Sequence, residues 1–196
     1  MLTDYFRKYS RVILEPMARF VSWTGVSPNI ITVIGFVLMV GVAVVLARGH
    51  LFWGGILIMG VALFDAIDGT LARMMGRTSR FGAFLDSTLD RFSEAVIFLG
   101  LFIYFSGRGQ NLELYLIYAT VVGSLMVSYA RARAEGIGVQ LREGLFTRLE
   151  RVLLLIVGLL TNQMTVVLWL LAIFSNLTAI QRMYLVWRIT GGEEGG

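Results

Sequence analysis

The sequence contains no cysteine, which excludes disulfide bonds, thiolate metal ligands and a cysteine nucleophile. Its one histidine, His50, stands in a short loop between hydrophobic stretches and gives little support for a histidine-centred site. Charged residues are also scarce, at 15% of the 196 residues against 57% hydrophobic ones, and the mean hydropathy is +0.75. This composition argues against a soluble globular protein and is typical of one that crosses a membrane several times.

Six hydrophobic stretches are candidates for membrane-spanning helices. The hydrocarbon core of a bilayer is about 30 Å thick and takes about 20 helical residues to cross. The candidates cover residues 29–47, 52–75, 81–106, 112–135, 148–162 and 164–188. Ser27 and Pro28 suit the N-cap and the first helical position of the first stretch, and the sequence 161–163 forms a tight connection between the last two. We therefore predict an all-α fold, a six-helix transmembrane bundle over residues 29–188, in one domain that comprises residues 1–196.

The two ends of the chain carry different patterns. Residues 3–22 combine apolar and basic side chains at helical spacing, so that apolar residues from Phe6 to Val21 share one face. A basic amphipathic helix of this kind lies in the headgroup region of a bilayer, and we predict an interfacial helix here. Residues 190–196 are rich in glycine and predict a flexible tail.

Basic residues are concentrated on one side of the predicted bundle. Those on that side are Arg7, Lys8, Arg11, Arg19, Arg73, Arg77, Arg80, Arg131, Arg133, Arg142, Arg148 and Arg151. The other side has little beyond Arg48 and Arg108. The positive-inside rule then predicts a multi-pass protein of the cytoplasmic membrane with both termini in the cytoplasm. Because the basic residues abut the membrane, anionic lipid or a phosphorylated substrate is a better partner for them than nucleic acid.

Four aspartates occur where the second and third predicted helices approach the cytoplasmic side. An aspartate at the centre of a membrane helix costs about 2.5–3.5 kcal/mol, so four cost on the order of 10 kcal/mol without a compensating partner. Asp65 and Asp68 are spaced i, i+3, and Asp86 and Asp90 are spaced i, i+4, so each pair shares a helical face. Antiparallel neighbours would present the four carboxylates at one level, as the hard oxygen ligands that Mg²⁺ or Mn²⁺ prefers. We predict a divalent metal site, with two ions to balance the four charges.

Small residues, Gly69, Ala72 and Gly82, continue the two aspartate faces in helical phase. They leave room for a flat group to approach the backbone, or for close packing of the two helices. Arg73 lies one turn beyond the first aspartate pair, and its planar guanidinium matches a phosphate group.

The aspartate pattern is also compatible with two arrangements that need no catalytic metal. The carboxylates could form salt bridges with Arg73, Arg80 and Arg91, or lie in water at helix ends. A cation- or proton-coupled transporter also places carboxylates in membrane helices, although no hydrophobic stretch here is broken at mid-membrane.

The same residues complete a longer pattern, D-x₂-D-G-x₂-A-R-x₈-G-x₃-D-x₃-D. Its fixed positions are Asp65, Asp68, Gly69, Ala72, Arg73, Gly82, Asp86 and Asp90. In this pattern the sequence resembles the CDP-alcohol phosphotransferases, and the resemblance extends to the six-helix layout and the preceding interfacial helix. It implies a Mg²⁺-dependent enzyme that transfers the phosphatidyl group of a CDP-linked lipid to an alcohol and releases CMP.

The resemblance also implies roles for individual residues. Asp65, Asp68, Asp86 and, in a shared role, Asp90 would bind metal. Asp90 would be the general base that takes the proton of the acceptor hydroxyl. The nucleotide would be bound by Gly69, Arg73, Ser79 and, at the start of the first span, Pro28, Asn29, Ile30 and Ile31. A homodimer is a further implication.

The second half of the chain bears on the acceptor alcohol. Segments 128–136, 146–151 and 181–187 resemble the family's bacterial phosphatidylinositol-phosphate synthases, in which three basic residues hold the phosphate of the acceptor. By position these residues are Arg131, Arg148 and Arg182, although each also suits a cytoplasmic helix end. Together they favour a phosphorylated acceptor over serine or free inositol. We expect CDP-diacylglycerol, or an archaeal ether-lipid counterpart, as the donor and L-myo-inositol 1-phosphate as the acceptor, with sn-glycerol 3-phosphate as the alternative.

Overall fold

A computed structural model of the protein describes residues 27–74, 79–141 and 144–191; for Pro28 and residues 64–74 it describes the backbone only. Every regular element in these ranges is an α-helix: α1 (Pro28–Ala47), α2 (Leu51–Met74), α3 (Arg80–Ser106), α4 (Asn111–Gly136), α5 (Arg148–Thr161) and α6 (Met164–Thr190). The all-α prediction is confirmed, and each helix end lies within two residues of its predicted position. The predicted interfacial helix at residues 3–22 and the tail residues 192–196 lie outside the described residues.

Local sequence signals account for several helix ends. Ser27 is the N-cap of α1 and Pro28 follows at the start of the helix, as predicted. Helix α5 begins with a capping box in which the Thr147 amide donates a 2.7 Å hydrogen bond to the Glu150 carboxylate. Asn162 ends α5 in the left-handed conformation, with φ of 57°, and this allows the tight turn into α6.

The helices pack into a bundle with a continuous apolar core. Helix α1 packs against α2 and α3, α2 against α5, α3 against α4, and α6 against both α4 and α5. The crossing of α1 and α3 is especially close, because a methyl group added at Gly100 would lie 2.9 Å from Ala43 Cα. Small residues commonly permit such close crossings between membrane helices.

Within the described residues, three helices are by themselves long and apolar enough to cross a membrane: Asn29–Ala47 of α1, Asn111–Gly136 (α4) and Met164–Thr190 (α6). Helix α2 contributes a shorter apolar segment, Leu51–Leu63, and α5 has only 14 residues. Helix α3 is long, but its first half carries several charged residues. Large apolar side chains such as Trp53 and Leu63 cover the outer surface, as expected for an integral membrane protein.

Candidate active site

A cavity of about 430 Å³ lies among α1, α2, α3 and α5. Apolar residues of all four helices line much of it, and Met39 and Ile58 represent α1 and α2. The polar part of the lining comes from α3, with Asp86, Asp90, Ser93 and Glu94, and from α5, with Arg148 and Arg151. The cavity therefore sets an acidic face of one helix against a basic face of another.

The acidic face of α3 becomes less exposed along the helix. Asp86, Asp90 and Glu94 follow one another at intervals of four residues and so share one face. Asp86 is exposed, whereas the Asp90 side chain is 18% exposed and the Glu94 side chain 13% exposed. Asp86 and Asp90 can therefore be reached from solvent, while Glu94 lies deeper in the bundle.

Two arginines approach the Asp90 carboxylate. Arg148 Nη1 lies 2.6 Å from Asp90 Oδ2, and Arg91 Nη1 lies 3.8 Å from the same oxygen. Arg91 is one of the three salt-bridge partners considered from the sequence. For Arg148, the family resemblance predicts contact with the acceptor phosphate instead. The Arg148 side chain remains 41% exposed, so a phosphate group can still reach it.

A second ion pair joins α5 and α3 deeper in the bundle. Arg151 Nε lies 2.8 Å from Glu94 Oε1, and Arg151 Nη2 lies 3.0 Å from Glu94 Oε2. The Arg151 side chain is 4% exposed. Sequence reasoning missed this pair, although Glu94 follows Asp90 by one helical turn and Arg151 follows Arg148 by three residues. Those spacings were the available signal.

The structure describes the side chains of only half of the predicted metal site. Helix α2 continues through Asp65, Asp68 and Gly69, but the side chains of the two aspartates lie outside the described residues, as do those of Pro28, Ala72 and Arg73. Among the side chains that are described, no group of three acidic or histidine residues could hold a metal ion. Asp86 and Asp90 do line one cavity, one turn apart, with carboxylate oxygens of the kind that Mg²⁺ and Mn²⁺ prefer. The four-ligand site stays a prediction.

The motif residue Gly82 meets two of the predicted nucleotide residues, Asn29 and Ser79, where α1 and α3 begin. Ser79 is the N-cap of α3, and its Oγ accepts a 2.8 Å hydrogen bond from the Gly82 amide. A methyl group added at Gly82 would lie 2.9 Å from Asn29 Oδ1 and 3.0 Å from Ser79 Oγ. Ile30 is exposed, whereas Ile31 is buried with 4% exposure, so its side chain packs in the core. The predicted nucleotide residues thus bring two polar side chains together at a position that has no side chain of its own.

Arg182 is a buried arginine at the same end of the bundle. It is 6% exposed, and its Nη1 donates a 2.6 Å hydrogen bond to the Val127 carbonyl of α4. A methyl group added at Gly144 would lie 2.9 Å from Arg182 Nη2, so the segment before α5 passes close to this guanidinium.

The three predicted acceptor arginines therefore occupy different environments. Arg148 lines the cavity, Arg182 is buried against α4, and Arg131 is exposed and pairs with Glu135 at 2.9 Å. In the described part of the chain, Arg148 is the member of this set that contacts a motif aspartate.

Comparison with known proteins identifies relatives over most of the chain. A family model described as CDP-alcohol phosphatidyltransferase matches residues 25–185. The phosphatidylinositol phosphate synthase of Streptomyces avermitilis is 38% identical over 96% of this chain and 83% of its own length. The archaetidylinositol phosphate synthase of Pyrococcus horikoshii is 37% identical over 87% of this chain and 89% of its own length.

The phosphatidylinositol phosphate synthase of Mycobacterium tuberculosis has the same fold. Its crystal structure with CDP-DAG bound matches with a TM-score of 0.83 at 34% identity, over 89% of this chain and 94% of that one. Its crystal structure in complex with manganese and citrate also matches with a TM-score of 0.83, at 33% identity, over 89% of this chain and 88% of that one.

Proposed function

The chain belongs to the CDP-alcohol phosphatidyltransferase family, and we propose that it transfers the phosphatidyl group of CDP-diacylglycerol to L-myo-inositol 1-phosphate, with release of CMP. As a member of this family the protein is a transferase. The alternative that its aspartates serve a cation- or proton-coupled transporter is therefore rejected. The contact between Arg148 and Asp90 is the observation that carries the choice of a phosphorylated acceptor.

Arg148 stands at a place that favours an anion. It is the first residue of α5, where unpaired backbone amides and the helix dipole already attract negative charge. A second positive charge at this end is unfavourable unless anions lie nearby, and Asp90 and the capping-box residue Glu150 supply them in the structure. A phosphate group bound at Arg148 would bring the rest of the acceptor beside Asp90, the residue that we propose accepts the proton of the acceptor hydroxyl.

The names of the relatives support inositol phosphate as the acceptor. The bacterial relatives are phosphatidylinositol phosphate synthases and the archaeal one is an archaetidylinositol phosphate synthase. The names differ in the lipid and agree in inositol phosphate. We favour a diacyl donor because the Mycobacterium tuberculosis enzyme was crystallised with CDP-DAG bound.

Two Mg²⁺ ions, bound by Asp65, Asp68, Asp86 and Asp90, complete the proposed centre. Manganese in the structure of a relative supports a divalent ion, and the cavity-lining carboxylates of Asp86 and Asp90 fit one. Such ions, when bound, neutralise a pyrophosphate and stabilise the charge that develops on the departing CMP. The protein groups orient the acceptor, through Arg148, and remove its proton, through Asp90.

We propose that the nucleotide lies where α1 and α3 begin. The residues assigned to it are Gly69, Arg73, Ser79, Pro28, Asn29, Ile30 and Ile31. The convergence of Asn29 and Ser79 on Gly82 supports this position, because two polar side chains lie close together there, at a residue without a side chain of its own.

We further propose that all six helices cross the cytoplasmic membrane, with the cavity and both termini on the cytoplasmic side and residues 3–22 lying along its surface. The basic residues at the cavity end of α4, α5 and α6 support this orientation. The family resemblance implies a homodimer, which we include in the proposal.

The proposed function is tested by CMP release. The purified protein, with CDP-diacylglycerol and Mg²⁺, is offered inositol 1-phosphate, glycerol 3-phosphate, inositol and serine in separate reactions. Release with inositol 1-phosphate is the expected result. Release with glycerol 3-phosphate alone would retain the transferase and replace the acceptor, and release with free inositol or serine would overturn the phosphate site at Arg148.

A further inference from the structure

We propose that Glu94 and Arg151 form a positioning pair, which holds the first turn of α5 at a fixed place beside α3 and thereby sets Arg148 next to Asp90. The inference rests on the proposed function in one respect, namely that Arg148 binds the acceptor phosphate. It assigns a role to two residues that lie outside the aspartate motif.

The pair bridges two helices that are separated by the cavity. Helix α5 packs against α2 and α6, and its first turn faces α3 across the cavity. The Arg151 guanidinium contacts the Glu94 carboxylate through two hydrogen bonds, of 2.8 and 3.0 Å. A fork of this kind fixes both distance and orientation, which a single hydrogen bond does not.

The two ion pairs between α3 and α5 have different exposure. Asp90 and Glu94 are one turn apart on α3, and Arg148 and Arg151 are three residues apart on α5, so the pairs lie one above the other. The outer pair includes an arginine side chain that is 41% exposed, whereas in the inner pair the arginine is 4% exposed. An incoming phosphate can displace Asp90 from Arg148 and leave the inner pair intact. The inner pair then keeps α5 in place while the acceptor binds.

Stability alone does not account for the inner pair. Replacing a buried ion pair by apolar residues of similar size is often neutral or stabilising, because removing two charges from water is costly. Here Arg151 Nη1 is also buried and has no hydrogen-bond partner among the described residues, so the desolvation of this guanidinium is incompletely compensated. Glu94 also lines a small pocket together with Ser124 of α4. The Glu94–Arg151 pair therefore fixes the position of α5 relative to α3, at a cost in the stability of the folded protein.

The test is the double variant Glu94→Leu/Arg151→Met, which removes both charges and retains bulk. A purely structural pair predicts a stable protein with normal kinetics. A positioning pair predicts a stable protein whose kcat/KM for inositol 1-phosphate falls on the order of 100-fold, the effect of a misplacement of about 1 Å, while the KM for CDP-diacylglycerol is unchanged.

The matched control is Glu113→Leu/Thr165→Val, at the opposite end of the bundle. Glu113 is buried, and Thr165 Oγ1 donates a 2.7 Å hydrogen bond to it, so this variant also removes a buried polar bridge between two helices. It should leave the kinetics of both substrates unchanged. Should the first double variant fail to fold, Glu94→Gln/Arg151→Gln preserves polar side chains and carries the same kinetic expectation.

The outcomes separate the two proposals. If the wild type releases no CMP with inositol 1-phosphate, the proposed acceptor is wrong, and the variants are compared with the acceptor that does support release. If the wild type is active and a folded double variant has unchanged acceptor kcat/KM, the positioning role is wrong. A KM for CDP-diacylglycerol that rises as much as the KM for inositol 1-phosphate would also overturn the positioning role, since it would indicate general damage to the site.

Discussion

Replacing Arg148 by alanine should weaken acceptor use without unfolding the protein. The Arg148 side chain is 41% exposed, and its ion pair with Asp90 is therefore partly in water. Ion pairs of this kind contribute about 0–1 kcal/mol to stability. For a chain of this size, a loss of about 1 kcal/mol lowers Tm by about 2–4 °C. Arg148→Ala should accordingly remain folded.

The kinetic effect should be much larger than the effect on stability. A hydrogen bond to a charged group contributes about 1.5–3 kcal/mol, and about 1.4 kcal/mol corresponds to a factor of ten. Loss of the contact with the acceptor phosphate should therefore raise the KM for inositol 1-phosphate about 10- to 140-fold. The KM for CDP-diacylglycerol should stay the same, because Arg148 is not among the residues assigned to the donor. Arg148→Lys should recover part of the loss, since lysine retains the charge but not the planar fork.

The assay is CMP release at saturating CDP-diacylglycerol over a range of inositol 1-phosphate concentrations, together with thermal unfolding in detergent. Arg108→Ala is a suitable control, because Arg108 lies 3.9 Å above the Tyr104 ring at the far end of α3 and should not affect either substrate. An unchanged acceptor KM in folded Arg148→Ala would refute the reasoning and place the phosphate site elsewhere.

Three further predictions address the base, the metal and the helix packing. Asp90→Asn should lower kcat about 10²- to 10⁴-fold with little change in the KM for CDP-diacylglycerol, and normal CMP release would remove Asp90 as the general base. Chelation of divalent ions with EDTA should abolish CMP release and added Mg²⁺ or Mn²⁺ should restore it; turnover in EDTA would contradict a metal-dependent centre. Gly100→Ala should destabilise the protein by about 1–3 kcal/mol, because its methyl group would meet the α1 backbone at Ala43. Gly41→Ala, which faces open space, should not lower Tm, and equal Tm values for the two variants would argue against the close crossing.

The positions of the helices were predictable because their signals are local. Hydrophobic stretches mark the helices, Ser27 and Pro28 mark the start of α1, and Asn162 marks the turn between α5 and α6. The spacing of Asp86 and Asp90 likewise predicts that they share a helical face, and both line the cavity. These predictions needed only the period of the helix and the chemistry of its ends.

The contacts between helices were not predictable in the same way. Glu94 and Arg151 are 57 positions apart, and no periodicity relates positions on different helices. The family resemblance predicts that Arg148 binds a phosphate, yet in the structure Arg148 also contacts Asp90. This contact depends on how α5 is placed across the cavity from α3. Ser79 was assigned to the nucleotide, and its hydroxyl oxygen also caps α3 through the amide of Gly82.

The residues proposed for the donor and for the acceptor lie on different helices. The aspartates that we propose serve the donor lie on α2 and α3, whereas the arginines proposed for the acceptor, Arg131, Arg148 and Arg182, lie on α4, α5 and α6. Acceptor preference can therefore change through residues of the second half of the chain while the donor half is kept. Such changes are productive only if α5 still presents its first turn to Asp90 at the right distance. We propose that the buried Glu94–Arg151 pair meets this requirement, because it joins the two halves of the chain one helical turn from Asp90.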